Sequence, residues 1–476
     1  MTELLFETDW LASRPVFYNE STGAASHSVN EVIVFPEVEI DAEGLNLYLA
    51  AGYSVFGRTP VCGVRYLPPC ARLWRDDDGA LCVEELSFDI DSRLAERRSE
   101  DEIVEMLRAR VQAAEAATEG EIVIPTSGGY DSRLLNLMIA EPSRVRSFTF
   151  GATRRQWKSL EVARARALAA MLGTNWERIP LAPFHGYLDE WGREFGPVVH
   201  AHGMYQMEFY RRVRDRTGGG ELLLSGLLGD WFEGKGDERV PPPSSPAEMQ
   251  RMVFSYDMSA DPSMCVVSSD GSALEEYFET HSAALASHRR RVLETVRLRM
   301  MMLHYLLRVP ELYGFRVEAP FLDCELATAM LTLSDERRHH RRWVTDYLAA
   351  RGALLSDVRG DSRYWLYWPV MRAQPLERLD DRLLSEIVKP EYVRWINRTV
   401  GWRGLWYEGY ERLSGWRGFR RAVGYLRASG VRQRRLEAYH AYMTLWPLQR
   451  LLQKRDAARS GRPAETTGRA AEVTVS

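Results

Sequence analysis

The most regular alternation of apolar and polar positions lies between residues 101 and 180. Apolar side chains recur at helical spacing over 101–117, and acidic residues open that segment, so an amphipathic helix is predicted there. Apolar, β-branched runs at 122–125, 145–151 and 176–180 predict strands, with helical patterns between them. Alternating strands and helices are typical of a parallel sheet, so we expect an α/β fold with a doubly wound parallel sheet.

The flanking segments have other patterns. Short runs at 32–35 and 81–83, with a hairpin-type turn at 76–79, predict a small β-rich unit over residues 1–95. After the sheet, helical patterns dominate, beginning at about 273–310. We therefore expect a main domain over residues 96–455 with a helical C-terminal part, and a disordered tail over 456–476.

Composition narrows the class of protein. Of the 476 residues, 45% are hydrophobic and 27% are charged, which is typical of a globular chain. The net charge of −4 gives no reason to expect a nucleic acid partner. Five scattered cysteines without a C-x-x-C pair indicate reduced thiols rather than a disulfide framework or a zinc site. With an acidic N-terminus and no long apolar run, the sequence predicts a cytoplasmic protein without a membrane partner.

The strand at 122–125 runs into a loop of small residues and then a helix. Its sequence is Ser127-Gly128-Gly129-Tyr130-Asp131-Ser132. Small residues at the start of a helix let backbone N–H groups converge on an anion, and the helix dipole favours negative charge. The loop lacks the lysine of a Walker A motif and the spacing of a dinucleotide fingerprint. The sequence therefore predicts a phosphate site of another kind.

A second small-residue loop, at 225–230, follows another apolar run. Carboxyl ends of parallel strands meet at one edge of a sheet, so this loop and the end of the 145–151 strand are expected near the nucleotide. Asp230 beside a triphosphate would most usefully bind magnesium, since hard cations prefer carboxylate and phosphate oxygens. Its alternative role is to cap the following helix.

Three motifs carry a family resemblance. The loop at 127–132 resembles the PP-loop of the N-type ATP pyrophosphatases. The segments at 225–230 and 314–323 then resemble, in the same order, the second and third motifs of asparagine synthetases. Segments 14–18 and 48–69 are similar to the later part of that family's glutaminase domain. The resemblance covers about residues 10–375 and implies a PP-loop fold, adenine nucleotide α-hydrolase-like, preceded by a truncated glutaminase remnant.

The resemblance implies an ATP-dependent ligase that uses Mg²⁺ to adenylate a carboxylate and transfers the acyl group to ammonia or an amine. It implies nucleotide contacts from these residues: Ser127, Gly128, Gly129, Asp131, Ser132, Phe150, Gly151, Ser225 and Gly226. It implies magnesium ligands at Asp131 and Asp230, and catalytic roles for Asp230, Arg359 and Arg363. The acid is a small molecule or a peptide, as in the biosynthesis of a natural product or a modified sugar acid.

Several positions depart from the family. The chain lacks the N-terminal cysteine nucleophile, so we expect no glutamine hydrolysis, and ammonia would come directly or from a separate glutaminase. Leu227 stands where the family has a glutamate that acts in the second half-reaction, and Arg316 and Glu318 have exchanged charges. Arg359 and Arg363 occupy the region of an arginine and a lysine that contact pyrophosphate and the adenylate.

Three alternatives stay open. The amine could belong to the same substrate, as in β-lactam synthetases and lasso-peptide cyclases, with a carrier or peptide-binding subunit as partner. The chain could instead be a noncatalytic nucleotide-binding subunit, which Leu227 favours. Sulfur insertion into RNA is disfavoured by the cysteine positions and the net charge. The basic cluster at 337–342 is expected to be a solvated face, or else a substrate-recruiting patch.

Overall fold

The fold was described from a computed structural model of the chain. The described residues are 3–151, 156–181, 184–235, 242–254, 258–360, 376–401 and 431–461. Arg363, most of the Pro-rich segment that follows Lys235, and the end of the predicted tail lie outside these ranges.

The strands of the described residues are numbered in chain order. They are β1 (Glu3–Glu7), β2 (Phe17–Asn19), β3 (Ala25–Ser26), β4 (Val64–Tyr66), β5 (Ala71–Arg75), β6 (Leu81–Glu85), β7 (Ile122–Pro125), β8 (Val145–Gly151), β9 (Asn175–Pro180), β10 (Leu222–Leu224) and β11 (Arg316–Glu318).

Helices make up most of the remaining described structure. The α-helices span Val29–Val32, Ala42–Ala51, Ile90–Ala95, Glu100–Ala116, Tyr130–Met138, Leu160–Leu172, Leu188–Phe195, Tyr205–Thr217, Pro246–Phe254, Ser272–Leu285, His288–Leu303, Tyr305–Leu312, Cys324–Thr332, Asp335–Arg338, Arg342–Ala350, Pro390–Gly401 and Val431–Arg459. One turn of π-helix spans Trp231–Lys235.

The central sheet has five parallel strands in the order β11-β10-β7-β8-β9. Its middle strands are apolar and fully buried, because helices cover both faces of the sheet. The α/β class with a parallel sheet is therefore confirmed. Strands β7 and β10 are neighbours although almost one hundred residues separate them, and this brings the two small-residue loops that follow them side by side.

The N-terminal unit contains two three-stranded antiparallel sheets, β1-β5-β6 and β3-β2-β4. The predicted strand at 81–83 lies within β6, and a tight turn joins it to β5. The predicted strand at 32–35 is wrong. Val32 ends the short helix Val29–Val32, whose Val29 and Val32 side chains are both buried, and residues 33–35 follow without pairing to a described strand.

One hydrophobic core joins the N-terminal unit to the rest of the protein. The Tyr48 hydroxyl donates a hydrogen bond to the carbonyl of Thr444 at 3.1 Å, and the Trp10 ring N–H donates to the carbonyl of Leu322 at 2.9 Å. The long C-terminal helix Val431–Arg459 runs four residues past the boundary predicted at 455. The N-terminal unit and the part with the central sheet thus share one core over the described residues.

Candidate active site

The loop after β7 is held open by its own glycines and serines. A side chain at Gly128 would come within 2.8 Å of the Glu161 Cα, so only glycine fits where the loop crosses the helix Leu160–Leu172. The Ser127 N–H donates to Ser132 Oγ at 3.1 Å. Gly129 is the N-cap of the helix Tyr130–Met138, and no side chain caps that helix. Its first-turn N–H groups therefore have no intrahelical or side-chain acceptor.

Arg133 fixes the outer side of the same loop. Its guanidinium donates to the carbonyls of Gly128 at 2.7 Å and Gly129 at 3.1 Å. It also donates to the carbonyls of Ala353 and Leu354, at 3.0 and 2.6 Å. The side chain is fully buried, and burial lowers its pKa to about 10. One arginine thereby ties the first loop to the segment that leads to Arg359.

The loop after β10 packs directly on the first. A Cβ built at Gly226 would lie 3.2 Å from the Asp131 Cβ, and one at Gly229 would lie 3.1 Å from the same atom. Leu228 between them has a φ of 64°, in the left-handed region. Glycine at both crossing points lets the two loops approach each other, so the carboxylates of Asp131 and Asp230 border one cavity.

That cavity measures about 650 Å³ and opens at the carboxyl ends of β7, β8 and β10. Seven of the residues predicted for the site line it: Ser127, Asp131, Ser132, Phe150, Ser225, Gly226 and Asp230. Three other predicted residues lie next to the lining residues. Gly128 and Gly129 shape the first loop, and Gly151 packs on the side chain of Gln156.

The predicted arginines are not part of the cavity wall in the described chain. Arg359 is exposed and does not line the cavity, and Arg363 lies outside the described residues. Gly360, next to Arg359, packs against Leu160 in the first turn of the helix that Gly128 also touches. The segment before residue 361 therefore reaches the back of the first loop rather than its open face.

Charges are concentrated where the two loops meet. Burial, and then the charge of Asp230, raise the pKa of Asp131 to about 6. Burial and Asp131 raise the pKa of the fully buried Glu233 well above its usual range. Lys235 Nζ lies 2.5 Å from Asp230 Oδ2; burial opposes its charge, but that carboxylate leaves the lysine pKa raised.

Arg341 completes this cluster. Its Nη1 lies 3.2 Å from Asp131 Oδ1 and 3.2 Å from Glu233 Oε2, and its guanidinium lies 4.4 Å from the centre of the Tyr130 ring. Arg338, three residues earlier, is fully buried and donates to the carbonyls of Phe232 and Met330. The prediction of a solvated face for 337–342 is therefore wrong for these two residues, because their guanidinium groups satisfy buried acceptors.

Carboxylate oxygens beside a phosphate loop are suited to magnesium. Asp131 and Asp230 lie close enough for each to feel the other's charge, which a divalent cation would relieve. In the part of the chain that the structure describes, no group of three or more His, Cys, Asp or Glu is arranged to hold a metal ion. The residues fit a magnesium ion that takes its other ligands from phosphate and water.

The sequence did not point to the opposite wall of the cavity. The helix His288–Leu303 turns one face towards it, formed by His288, Arg291, Val292, Thr295, Arg299 and Leu303. Gln206, Phe209 and Tyr210 line the side near Phe150. Polar residues recurring every three or four positions in an otherwise buried helix are a signal for such a wall. Glu233 and Arg341 carried no comparable signal.

Comparison of the chain with family models and with curated proteins found no match. None of the described helices combines the length and the apolar character needed to cross a membrane. The function must therefore be argued from the geometry of the site.

Proposed function

We propose that this chain is an asparagine-synthetase-like, ATP-dependent ligase that activates a carboxylate as an acyl adenylate and joins it to ammonia or an amine. The observation that carries the proposal is the meeting of two small-residue loops at the carboxyl ends of β7 and β10. There, glycines at 226 and 229 let the second loop pack on Asp131. An uncapped helix start, three serines and two carboxylates border the same cavity.

The first step needs a nucleotide held by its outer phosphates. The N–H groups of the first loop and the hydroxyls of Ser127 and Ser132 suit the β- and γ-phosphates, in the manner of a PP-loop. A carboxylate oxygen of the acid bonds to the α-phosphorus while the bond to the bridging oxygen breaks, and pyrophosphate leaves. Magnesium on Asp131 and Asp230 would neutralise charge on the departing pyrophosphate.

In the second step the amine nitrogen bonds to the acyl carbon, the bond to the AMP oxygen breaks, and the nitrogen loses a proton. Leu227 is buried in the core and has no group that can take that proton. The cavity lining does not distinguish an ammonia-dependent enzyme from an intramolecular cyclase. The acid and the amine would bind along the polar wall that the helix His288–Leu303 forms, because this wall borders the same cavity as Asp131 and Asp230.

A noncatalytic nucleotide-binding subunit is the second candidate. The observation that favours it is Leu227, because an apolar, buried side chain occupies a position at which the resembling family carries a reactive carboxylate. Such a subunit would bind ATP through the same loops and release no AMP. The two candidates therefore differ in nucleotide turnover and agree in nucleotide binding.

Turnover of α-labelled ATP with Mg²⁺ across a panel of carboxylic acids and amines tests the proposal. We expect AMP and pyrophosphate to form only when one class of acid is present. Nucleotide binding without AMP in any mixture, with and without added glutaminase, would favour the noncatalytic subunit. Absence of any nucleotide binding would overturn both candidates.

A further inference from the structure

The basic cluster at 337–342 sends one side chain to Asp131, a residue that borders the cavity. Arg341 bridges two carboxyl groups, Asp131 and Glu233, each at 3.2 Å from its Nη1. The other arginines of the cluster are engaged with different groups: Arg337 with Glu100 and Asp346, Arg338 with buried carbonyls, and Arg342 with Glu336. Arg341 contacts a loop of the candidate site through Asp131.

The backbone at Arg341 is strained. His340 and Arg341 have φ angles of 51° and 55°, in the left-handed region that non-glycine residues rarely adopt. Each such residue costs about 1–2 kcal/mol. Strain of this kind persists where the surroundings hold it, and it clusters at functional sites. Here it turns the Arg341 side chain towards Asp131.

The surroundings that hold Arg341 are rigid. Glu233, its second partner, is fully buried, and its carbonyl accepts a hydrogen bond from the Trp343 ring at 3.0 Å. Gly234 follows with a φ of 117°, and a side chain there would come within 2.3 Å of the Arg338 carbonyl oxygen. The segments at 231–235 and 338–343 therefore pack too closely for Arg341 to be a loosely held surface charge.

Two cations stand beside the carboxylates, and burial distinguishes them. The Lys235 side chain is 63% exposed, so solvent screens its charge. The Arg341 side chain is 19% exposed, so solvent screens its charge less. A planar guanidinium also matches phosphate oxygens bidentately, which an ammonium does not.

We propose that Arg341 binds the pyrophosphate portion of the nucleotide, and that Asp131 and Glu233 hold its guanidinium ready for that contact. This inference rests on the proposed function. A magnesium ion on Asp131 would take up the charge of that carboxylate and would leave the guanidinium able to donate to phosphate oxygens, while Glu233 keeps it in place. Arg341 then supplies the charge stabilisation that the sequence assigned to Arg359 and Arg363.

Binding of magnesium pyrophosphate, measured by calorimetry on the full chain, tests this role. We expect Arg341→Gln to weaken that binding about 10- to 100-fold, since a hydrogen bond between charged groups is lost. Arg341→Lys should recover part of the affinity. AMP has no β- or γ-phosphate, so its affinity should change less than about twofold. Arg337→Gln, in the same basic cluster, is the matched control and should bind like the wild type.

A second variant separates phosphate binding from local structure. Glu233→Gln combined with Arg341→Gln removes both members of the buried pair, so we expect the melting temperature to return towards the wild-type value. The affinity for magnesium pyrophosphate should stay low in this double variant. If it recovers, Arg341 only neutralises Glu233, and the inference is overturned.

The outcomes also separate this inference from the proposed function. Wild-type binding of ATP and pyrophosphate that Arg341→Gln leaves unchanged would overturn the role of Arg341 and leave the ligase proposal standing. Equal loss of AMP and pyrophosphate binding would also overturn it. A wild-type chain that binds neither ATP nor pyrophosphate would overturn the proposed function, and this inference with it.

Discussion

Two clusters of ionisable side chains lie inside this protein, and they are built in opposite ways. One borders the cavity and consists of Asp131, Asp230 and Glu233 with Arg341 and Lys235 against them. The other consists of histidines, and each of its members is buried: His185, His200, His202 and His440. His185 and His202 pack on Tyr439 of the C-terminal helix, His202 also packs on Tyr205, and none of the four histidines lines the cavity.

Burial has opposite consequences in the two clusters. It raises the pKa of Asp131 and Glu233, but the neighbouring cations keep charge available beside the cavity. In the other cluster burial lowers the pKa of His185 to about 4 and of His200 to about 3, so the imidazoles are neutral at pH 7. The first arrangement suits binding of a charged ligand, and the second suits packing. Each of the following experiments alters either the cluster at the cavity or the histidine cluster.

The largest expected effect comes from Asp131→Asn. Loss of one charged magnesium ligand should lower acid-dependent AMP formation by about 10²–10³-fold, the range for removal of one group that stabilises transition-state charge. The melting temperature should not fall, because burial and Asp230 already oppose ionisation of this carboxyl, whose pKa is about 6. Turnover of α-labelled ATP and a thermal melt measure the two effects.

Asp101→Asn is the matched control for that variant. Asp101 and Asp131 each occupy the second position of a helix, after the N-caps Ser99 and Gly129, but Asp101 is exposed. Its substitution should leave turnover unchanged. Equal turnover in the two variants would place Asp131 outside the chemistry.

The histidine cluster should make the protein sensitive to acid. The folded pKa values of His185, His200 and His202 lie below the unfolded value of 6.5, so the stability that these neutral histidines contribute is present above pH 6.5 and is lost as the pH falls towards 4. For His185, with a pKa of about 4, the loss approaches about 3 kcal/mol. Urea unfolding at several pH values between 7.5 and 4.5 measures it.

His185→Gln should reduce the slope of the unfolding free energy with pH, by an amount that corresponds to at most one proton bound on unfolding. His281→Gln is the control, because His281 stacks on Tyr277 at a partly exposed position. Its pH dependence should match the wild type. If both variants retain the full slope, the acid sensitivity does not originate in the buried cluster.

A smaller effect is expected at the segment that holds the acidic cluster. Gly234→Ala places a methyl group within 2.3 Å of the Arg338 carbonyl oxygen, whereas Gly271→Ala, also at positive φ, meets nothing within 4 Å. Both substitutions place a side chain on a backbone with positive φ. The difference between their free energies of unfolding therefore reports the cost of the close contact at Gly234. We expect Gly234→Ala to be less stable by about 1–3 kcal/mol, measured by urea unfolding.

The smallest effect concerns one hydrogen bond of the histidine cluster. His185 Nε2 and the Tyr439 hydroxyl lie 3.0 Å apart. Tyr439→Phe removes that bond and should cost about 1 kcal/mol, the typical net contribution of one hydrogen bond, because the imidazole can reorient. Turnover should be unchanged, since the cluster does not line the cavity. A large loss of turnover would show that the two clusters are coupled.

Local sequence patterns predicted several of the helices and strands. Strand β8 was predicted with its observed bounds, the helix Glu100–Ala116 was predicted one residue late, and a left-handed Gly173 ends the helix Leu160–Leu172 as its sequence suggests. Periodicity and caps are local properties, so they can be read without the fold. The strand predicted at 32–35 is wrong, because the chain ends the short helix Val29–Val32 there and residues 33–35 pair with no described strand.

The remaining part of the site depended on contacts between distant segments. Glu233 and Arg341 form an ion pair although they are 108 positions apart in the sequence. No local pattern near either residue indicates that they meet. The basic run at 337–342 predicted a solvent-exposed face. No sequence pattern predicted the π-helical turn Trp231–Lys235. Strand order decides which loops meet, and that order becomes visible only when the sheet is assembled.

The contact between Tyr48 and Thr444 has a consequence for synthesis on the ribosome. These residues are 396 positions apart, so the helix Ala42–Ala51 cannot complete its packing until nearly the whole chain has been made. At about 5–20 residues per second, the N-terminal unit waits roughly 20–80 s for its partner. During that time the Tyr48 hydroxyl has no Thr444 carbonyl to donate to, so we expect a chain interrupted before residue 444 to lack this contact.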